Sequence, residues 1–257
     1  MRFKITFNRT GRQRMLPMDY QYYLSAWIYK VIGRADPEFS QFLHSQGYAN
    51  GTKQFRLFNY SPLNFGKPIL WKERSLFEIA ADRISMQVSF YMPDAAERFI
   101  VGLFNNQEVF VGDKFNGIDL AVAQIERIPE HSFSTTITHK ALSPIVISFQ
   151  DEGEKYARYL SPEDEGYQQL VKNNLTQKWN ILPNVKPFTE SFNFNMKPTS
   201  VAKSKLITIK PNTPEQSKVR GFVYNFSLTC PPEIHQLILA CGIGEKNSMG
   251  FGWCEVK

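Results

Sequence analysis

Two apolar periods alternate along this chain of 257 residues, and their order runs through twice. Residues 2 to 8 alternate apolar with polar side chains, the period of a half-buried strand. From Asp19 the set Tyr20, Tyr23, Leu24, Trp27, Ile28, Val31 and Ile32 recurs at spacings of three and four, one stripe of a helix that closes near Gly33. Asp36-Pro37 then offers an N-cap and a proline at the first helical position, and Phe39, Phe42 and Leu43 make a second short stripe ended at Gly47. Strands are expected at 53 to 60, 68 to 78 and 83 to 92, a helix at 94 to 104, and more strand from 109 to 128. The second pass predicts strands at 132 to 139 and 144 to 150, a helix at 163 to 179, and strands at 188 to 196, 203 to 210 and 220 to 229. A helix at 232 to 240 and a strand at 250 to 256 complete it.

Strand, helix, strands, helix, strand is the order of a ferredoxin-like sandwich. The chain therefore reads as α+β, two tandem ferredoxin-like (RRM-like) domains at 1–128 and 129–257, duplicated in element order and not in sequence. With 42% apolar and 21% charged residues it has a globular composition. No apolar run nears the ~20 residues of a membrane span, and the opening MRFKITFNRTGRQR is unlike a signal peptide, so a soluble, cytoplasmic protein is expected. Cys230, Cys241 and Cys254 lack any C-x-x-C spacing, and His44, His131, His139 and His235 lie far apart. Neither a disulfide framework nor a metal set is legible, and no cofactor is expected.

The net charge of +6 is unevenly spread. Residues 1 to 34 carry seven basic side chains against Asp19, and residues 186 to 220 carry seven against Glu190 and Glu215. The balancing acid is bunched in Asp151, Glu152, Glu154, Glu163, Asp164 and Glu165, which predicts a basic side suited to a polyanion. The sharpest motif is residues 242 to 252, GIGEKNSMGFG, placed between an apolar helix and the last strand. Its four glycines allow positive φ and close approach to a ligand, and Lys246 adds positive potential. A dinucleotide fingerprint needs the strand-to-helix order and a P-loop needs Gly-Lys-Ser or Gly-Lys-Thr, so neither fits.

The paired glycines Gly242-Ile243-Gly244 and Gly250-Phe251-Gly252, separated by five residues including a basic one, resemble the C-terminal signature of the CRISPR-associated repeat-RNA endoribonucleases of the RAMP superfamily. Tyr22-Tyr23-Leu24, Ile28-Tyr29, Leu43-His44 and Leu57-Phe58-Asn59-Tyr60-Ser61 look like that family's N-terminal half, so the resemblance covers essentially the whole chain. It implies two ferredoxin-like domains and a metal-independent nuclease that cuts precursor CRISPR RNA within each repeat. The ribose 2′-OH would be the nucleophile and a 2′,3′-cyclic phosphate the product. CRISPR repeat RNA is the implied partner, with effector-complex subunits or a second copy of the chain left open and no membrane involved.

The resemblance selects His44 as the proton-transferring group, and helical geometry independently places it about 150° from the Phe39, Phe42 and Leu43 stripe. Tyr29 and Tyr22, one heptad apart, lie opposite the apolar stripe of their helix and can stack on a base or hydrogen-bond a reacting oxygen. For the basic residue that would hold transition-state charge, Arg56 fits the motif best and Lys53 is the rival, although lysine is the family's more usual choice. His131, His139 and His235 read as structural or surface residues. Phe188, Phe192, Phe194 and Met196 share one face by period two and read as core, whereas Lys203 and Lys205 share a face that suits phosphates. The competing class is a non-catalytic CRISPR RNA-binding subunit of an effector complex, against which His44 speaks.

Overall fold

The computed structural model describes residues 1–51, 53–129, 132–188, 192–211 and 213–257, which leaves the predictions for His131 and Glu190 outside the described residues. The alternation at the N-terminus does form a strand, Arg2–Arg9, which buries Phe3, Ile5 and Phe7. It is the third member of an antiparallel sheet ordered Phe58–Tyr60, Arg83–Phe90, Arg2–Arg9, Gly117–Ile128, Glu108–Gly112. In register, Ile5 lies opposite Met86 on one side and Ile125 on the other. Helices α1 (Gln21–Ala35) and α3 (Pro93–Asn105) bury their apolar stripes on this sheet, where Trp27 meets Phe7 and Phe99 edge-on at 5.8 and 5.9 Å. Helix α2 (Pro37–Ser45) starts as expected, with the Asp36 carboxylate accepting from Phe39 N at 2.9 Å and from Arg98 Nε at 2.7 Å.

The second sheet runs Asn195–Pro198, Asn225–Thr229, Thr136–Ala141, Cys254–Val256 and packs α4 (Tyr167–Asn180) and α5 (Pro232–Cys241) into a separate core. Counted along the chain, the strands of both sheets stand in the order 2-3-1-4, the ferredoxin-like arrangement, with Glu108–Gly112 added at the edge of the first. A hairpin of Lys203–Ile209 and Ser217–Val223 projects from the second half. Among the described residues no helix is long and apolar enough to cross a membrane, and all three cysteines are free and buried.

Several expected strands are corrected. The stretch at 53 to 60 is two strands, Lys53–Phe55 and Phe58–Tyr60, because Leu57 adopts a left-handed φ of 53°. The bend sends Phe55 and Leu57 into the second core and Phe58 and Tyr60 into the first. The stretch at 68 to 78 is likewise divided, into Ile69–Trp71 and Leu76–Glu78 around a short 3-10 turn. Between 144 and 150 only Ser148–Phe149 is strand, and of the strand expected at 188 to 196, part of which (189–191) lies outside the described residues, the described part is strand only from Asn195, in Asn195–Pro198. Side chains of α4 replace the sheet there: Asn180 accepts from Phe188 N at 3.0 Å and Lys172 Nζ donates to Phe192 O at 2.8 Å. Phe188, Phe192 and Phe194 still pack on the second core, as their spacing predicted.

Candidate active site

Three elements bring the expected reacting groups together. Beside its buried apolar stripe, α1 turns Tyr22, Ala26, Tyr29 and the buried Ser25 toward the cleft, residues that recur at three, four and seven and so share a face. Helix α2 is anchored by buried Leu43, which leaves the next residue, His44, exposed at the helix end. Ser40 Oγ donates to Tyr29 O at 2.8 Å and ties α2 to α1. The rings of Tyr29 and His44 therefore meet edge-on with centroids 5.1 Å apart. Burial raises the pKa of the Tyr29 phenol, and the neighbouring Ser248 side chain and Arg56 charge oppose that rise, so the group stays a protonated donor.

Arg56 and Lys53 differ in what holds them. Arg56 Nη2 donates to His44 O at 2.7 Å and to Ser45 O at 3.4 Å, and Nη1 donates to Gln54 Oε1 at 3.2 Å. Its charge thus sits on the carbonyl end of α2, where a helix dipole favours a cation. Lys53 is exposed on the rim. Period two would set Arg56 and Lys53 on opposite faces of one strand, but the strand ends at Phe55, and both side chains line the same cleft of about 830 Å³.

The opposite wall is the glycine-rich loop. Gly242, Gly244, Gly250 and Gly252 are themselves buried, and the stretch of the loop that lines the cleft runs from Gly244 to Met249. The glycines permit close packing: a Cβ on Gly252, at φ +70°, would stand 1.9 Å from Ile243 O, and one on Gly250 would stand 2.7 Å from the Tyr60 ring. The loop is pinned to the first half by Ser25 Oγ donating to Ser248 O at 2.7 Å and by Asn59 Nδ2 donating to Phe251 O at 3.1 Å. Glu245 fastens it to the second half, accepting from Ser148 N and Oγ at 3.1 and 2.8 Å.

Beneath the loop lies Lys178 of α4, 3% exposed. Its ammonium donates to Gly242 O at 3.0 Å, Gly244 O at 2.7 Å and Asn247 Oδ1 at 2.5 Å, and burial lowers its pKa to about 8. Asn247 in turn donates to Ile243 O and Phe251 O at 3.1 and 2.9 Å, which closes the loop on itself.

Two family models match consecutive parts of the chain: the N-terminal part of CRISPR-associated protein Cas6 over residues 15–125 and its C-terminal part over residues 127–256. The chain belongs to the Cas6 family. The CRISPR-associated endoribonuclease Cas6 of Pyrococcus furiosus is 28% identical over 262 residues, spanning 100% of this chain and 90% of its own length. The CRISPR-associated endoribonuclease Cas6 1 of Methanocaldococcus jannaschii is 25% identical over 252 residues, 95% of this chain and 88% of its own. The product of a Cas6-related gene from P. furiosus superposes with a TM-score of 0.83 at 22% identity, covering 100% of this chain and 98% of that one. A structure described as an RAMP protein binding different RNA substrates gives 0.81 at 20% identity, covering 100% and 99%. These two structures share the fold.

In this Cas6-family cleft Tyr22, Tyr29, His44, Lys53, Arg56, Gly244 and Lys246 come together. Gly242, Gly250 and Gly252 stand behind it, and Lys203 and Lys205 lie away from it. Lys210, at the cleft end of the hairpin strand, lines the site, and at about 3.3 Å per residue Lys205 is some 17 Å further along. Sequence reasoning missed Lys210, Ser248, Asn174 and Lys178. A signal for the last two existed: Tyr167, Val171, Asn174, Leu175 and Lys178 form the buried stripe of α4, so two polar residues interrupt an apolar period. His139 and His235 are buried in the second core.

Proposed function

We propose that this Cas6-family protein is a metal-independent endoribonuclease that binds CRISPR repeat RNA in the cytoplasm and cuts precursor CRISPR RNA within its repeats. The ribose 2′-oxygen forms a bond to the adjacent phosphorus, the bond from phosphorus to the 5′-oxygen breaks, and a 2′,3′-cyclic phosphate and a 5′-OH result. The 2′-OH loses a proton and the leaving oxygen gains one. An imidazole can do either near neutral pH, and His44 is the group in place for it. Tyr29, kept protonated by burial, donates a hydrogen bond to a phosphate oxygen or to the leaving group. With Arg56 occupied by the end of α2, Lys53 is the better candidate for the charge that develops on the phosphorane, and Arg56 fixes the helix end that carries His44. Lys210 and Lys246 line the same cleft and extend its positive potential along the RNA backbone. Reacting groups come from residues 1–128, and residues 129–257 supply the loop and the hairpin, with Lys203 and Lys205 as distal phosphate contacts.

The observation that carries this reading is the Tyr29–His44 contact inside a cleft lined by five Lys and Arg side chains. The curated relatives bear the name endoribonuclease, which supports it. The test is incubation of the matching repeat RNA in excess EDTA, intact or with one 2′-deoxy nucleotide 5′ of the scissile phosphate. Cutting of the intact RNA alone is expected. Cutting of the deoxy RNA would overturn the mechanism, and tight binding with no cutting would make the protein a passive CRISPR RNA-binding subunit.

A further inference from the structure

The Tyr29–His44 pair stands at the boundary of two open spaces, and both residues line both of them. The cleft takes the α1 residues before Tyr29, namely Tyr22, Ser25 and Ala26. A groove of about 490 Å³ between α1 and α2 takes those after it, Lys30, Gly33 and Arg34, with Ser40 and Gln41 of α2 facing them. A Cβ on Gly33 would stand 3.4 Å from Ser40 Cβ, so the missing side chain keeps the floor of the groove low. Lys30 and Arg34, four residues apart on α1, share a face and are separated by about 6 Å along the helix axis. Lys30 is exposed. Arg34 Nη1 donates to Asn106 O at 2.9 Å, which holds the guanidinium in place and leaves its other N–H groups for a ligand. Among the described residues that line the groove, none is Asp or Glu.

Cleavage by an in-line displacement needs room of this kind. The attacking 2′-oxygen and the departing 5′-oxygen stand on opposite sides of the phosphorus, so the two strand segments that meet there leave it in divergent directions. We propose that the α1–α2 groove continues the RNA path: one flank of the scissile phosphate lies in the cleft, and the other lies in the groove, where Lys30 and Arg34 take successive phosphates. The inference rests on the endoribonuclease reading. One helical turn between the two cations is comparable to the step between neighbouring phosphates of an extended strand, so both can be engaged at once. Contacts of this type fix register and add affinity without reading bases. The cleft is lined by five Lys and Arg side chains and the groove by two, so after the cut the segment in the groove departs first.

The test is the affinity for three repeat RNAs. One spans the cut and is made non-cleavable by a single 2′-deoxy nucleotide 5′ of the scissile phosphate, and the other two carry only its 5′ or only its 3′ flank. Lys30→Glu, at an exposed helix position, should weaken the spanning RNA by about tenfold and lower its slope of log K against log salt by about 0.7 or more. Gln41→Lys, which adds a cation on the facing wall at another exposed position, should tighten the same RNA by about threefold. For the trimmed RNA whose flank sits in the cleft, both variants should bind as the parent does. A spanning RNA that neither variant moves, or shifts of equal size for all three RNAs, would overturn the proposal. Cutting of the all-ribose spanning RNA by the parent is scored alongside. Cutting together with equal shifts removes the groove from the path and leaves the endoribonuclease reading standing, whereas a parent that does not cut overturns that reading and the groove assignment with it.

Discussion

Acid should weaken this fold through one buried pair, His139 and His235. The two rings stack with centroids 5.1 Å apart, and His139 Nε2 shares a single hydrogen bond of 2.9 Å with His235 Nδ1. Phe226 covers the other face of His139, and Cys230 Sγ and Thr135 O lie 3.4 and 3.3 Å from His235 Nε2. Burial pushes the pKa of His139 down to about 3, with the neighbouring ring adding to the effect, and burial lowers that of His235 as well. In the unfolded chain both titrate near 6.5, so between that pH and the folded values the unfolded state binds more protons. The stabilisation is complete above about pH 6.5 and is lost as the pH falls toward 3. At pH 5 a His139 held neutral costs about 2 kcal/mol relative to its unfolded form, and His235 acts in the same direction. His139→Phe keeps the stack on Phe226 and deletes one of the two titrations. Urea unfolding at pH 7 and pH 5 should then show a loss about 2 kcal/mol smaller in the variant than in the parent. Parallel losses in the two proteins would refute the argument, because they would show that acid acts through other groups.

At the proposed reacting centre, His44→Ala should lower the single-turnover rate by about 100-fold or more and leave repeat-RNA affinity within a few-fold, whereas a fully active variant would remove His44 from the mechanism. Lys53→Ala should slow cleavage more than Arg56→Ala, and the reverse order in the same assay would restore the charge-stabilising role to Arg56. Gly252→Ala forces a Cβ to within 1.9 Å of Ile243 O at φ +70°, and it should destabilise the protein by about 3 kcal/mol or more in a thermal melt. Replacing Lys203 and Lys205 together by Glu should reduce the slope of log K against log salt by about 0.7 to 0.9 for each phosphate left without its lysine, and an unchanged slope would place the RNA elsewhere.

Local period made much of this legible. The stripe that the spacing named from Tyr20 to Ile32 falls on α1 and the residue before it, and the apolar residues that α1 buries, Leu24, Trp27, Ile28, Val31 and Ile32, all belong to it. The same reasoning set Tyr22, Tyr29 and His44 opposite the apolar stripes, and all three line the cleft, although Tyr29 also packs on the first core, with its ring 5.5 Å from Phe58. What escaped was decided by contacts between distant residues. Lys178 is 64 and 66 residues from the carbonyls it serves, and its helix pattern alone does not say what surrounds it. The sequence at 188 to 196 has the alternation of a strand, but at Phe188 and Phe192 side chains of α4 meet the backbone first. Lys203 and Lys205 were readable as a shared strand face, yet which end of the strand meets the cleft depends on Ile209 and Val219 packing against Phe251.

The left-handed turn at Leu57 bears on how such a protein can diverge. Phe55 and Leu57 are 9% and 3% exposed in the second core, only one to three residues before Phe58 enters the first. Lys53 and Arg56, which line the cleft, are therefore fastened by neighbours that plug into a socket built from residues beyond 140, such as Ala141 and Ile145. Suppose two relatives exchanged their halves at residue 128. The hybrid would inherit its cationic side chains from one parent and the socket that seats them from the other. Recombination at the visible joint between sheets would misplace the very residues it transfers whole, so the two halves of this chain have to drift in step, with Phe55 and Leu57 as the positions where a mismatch is felt first.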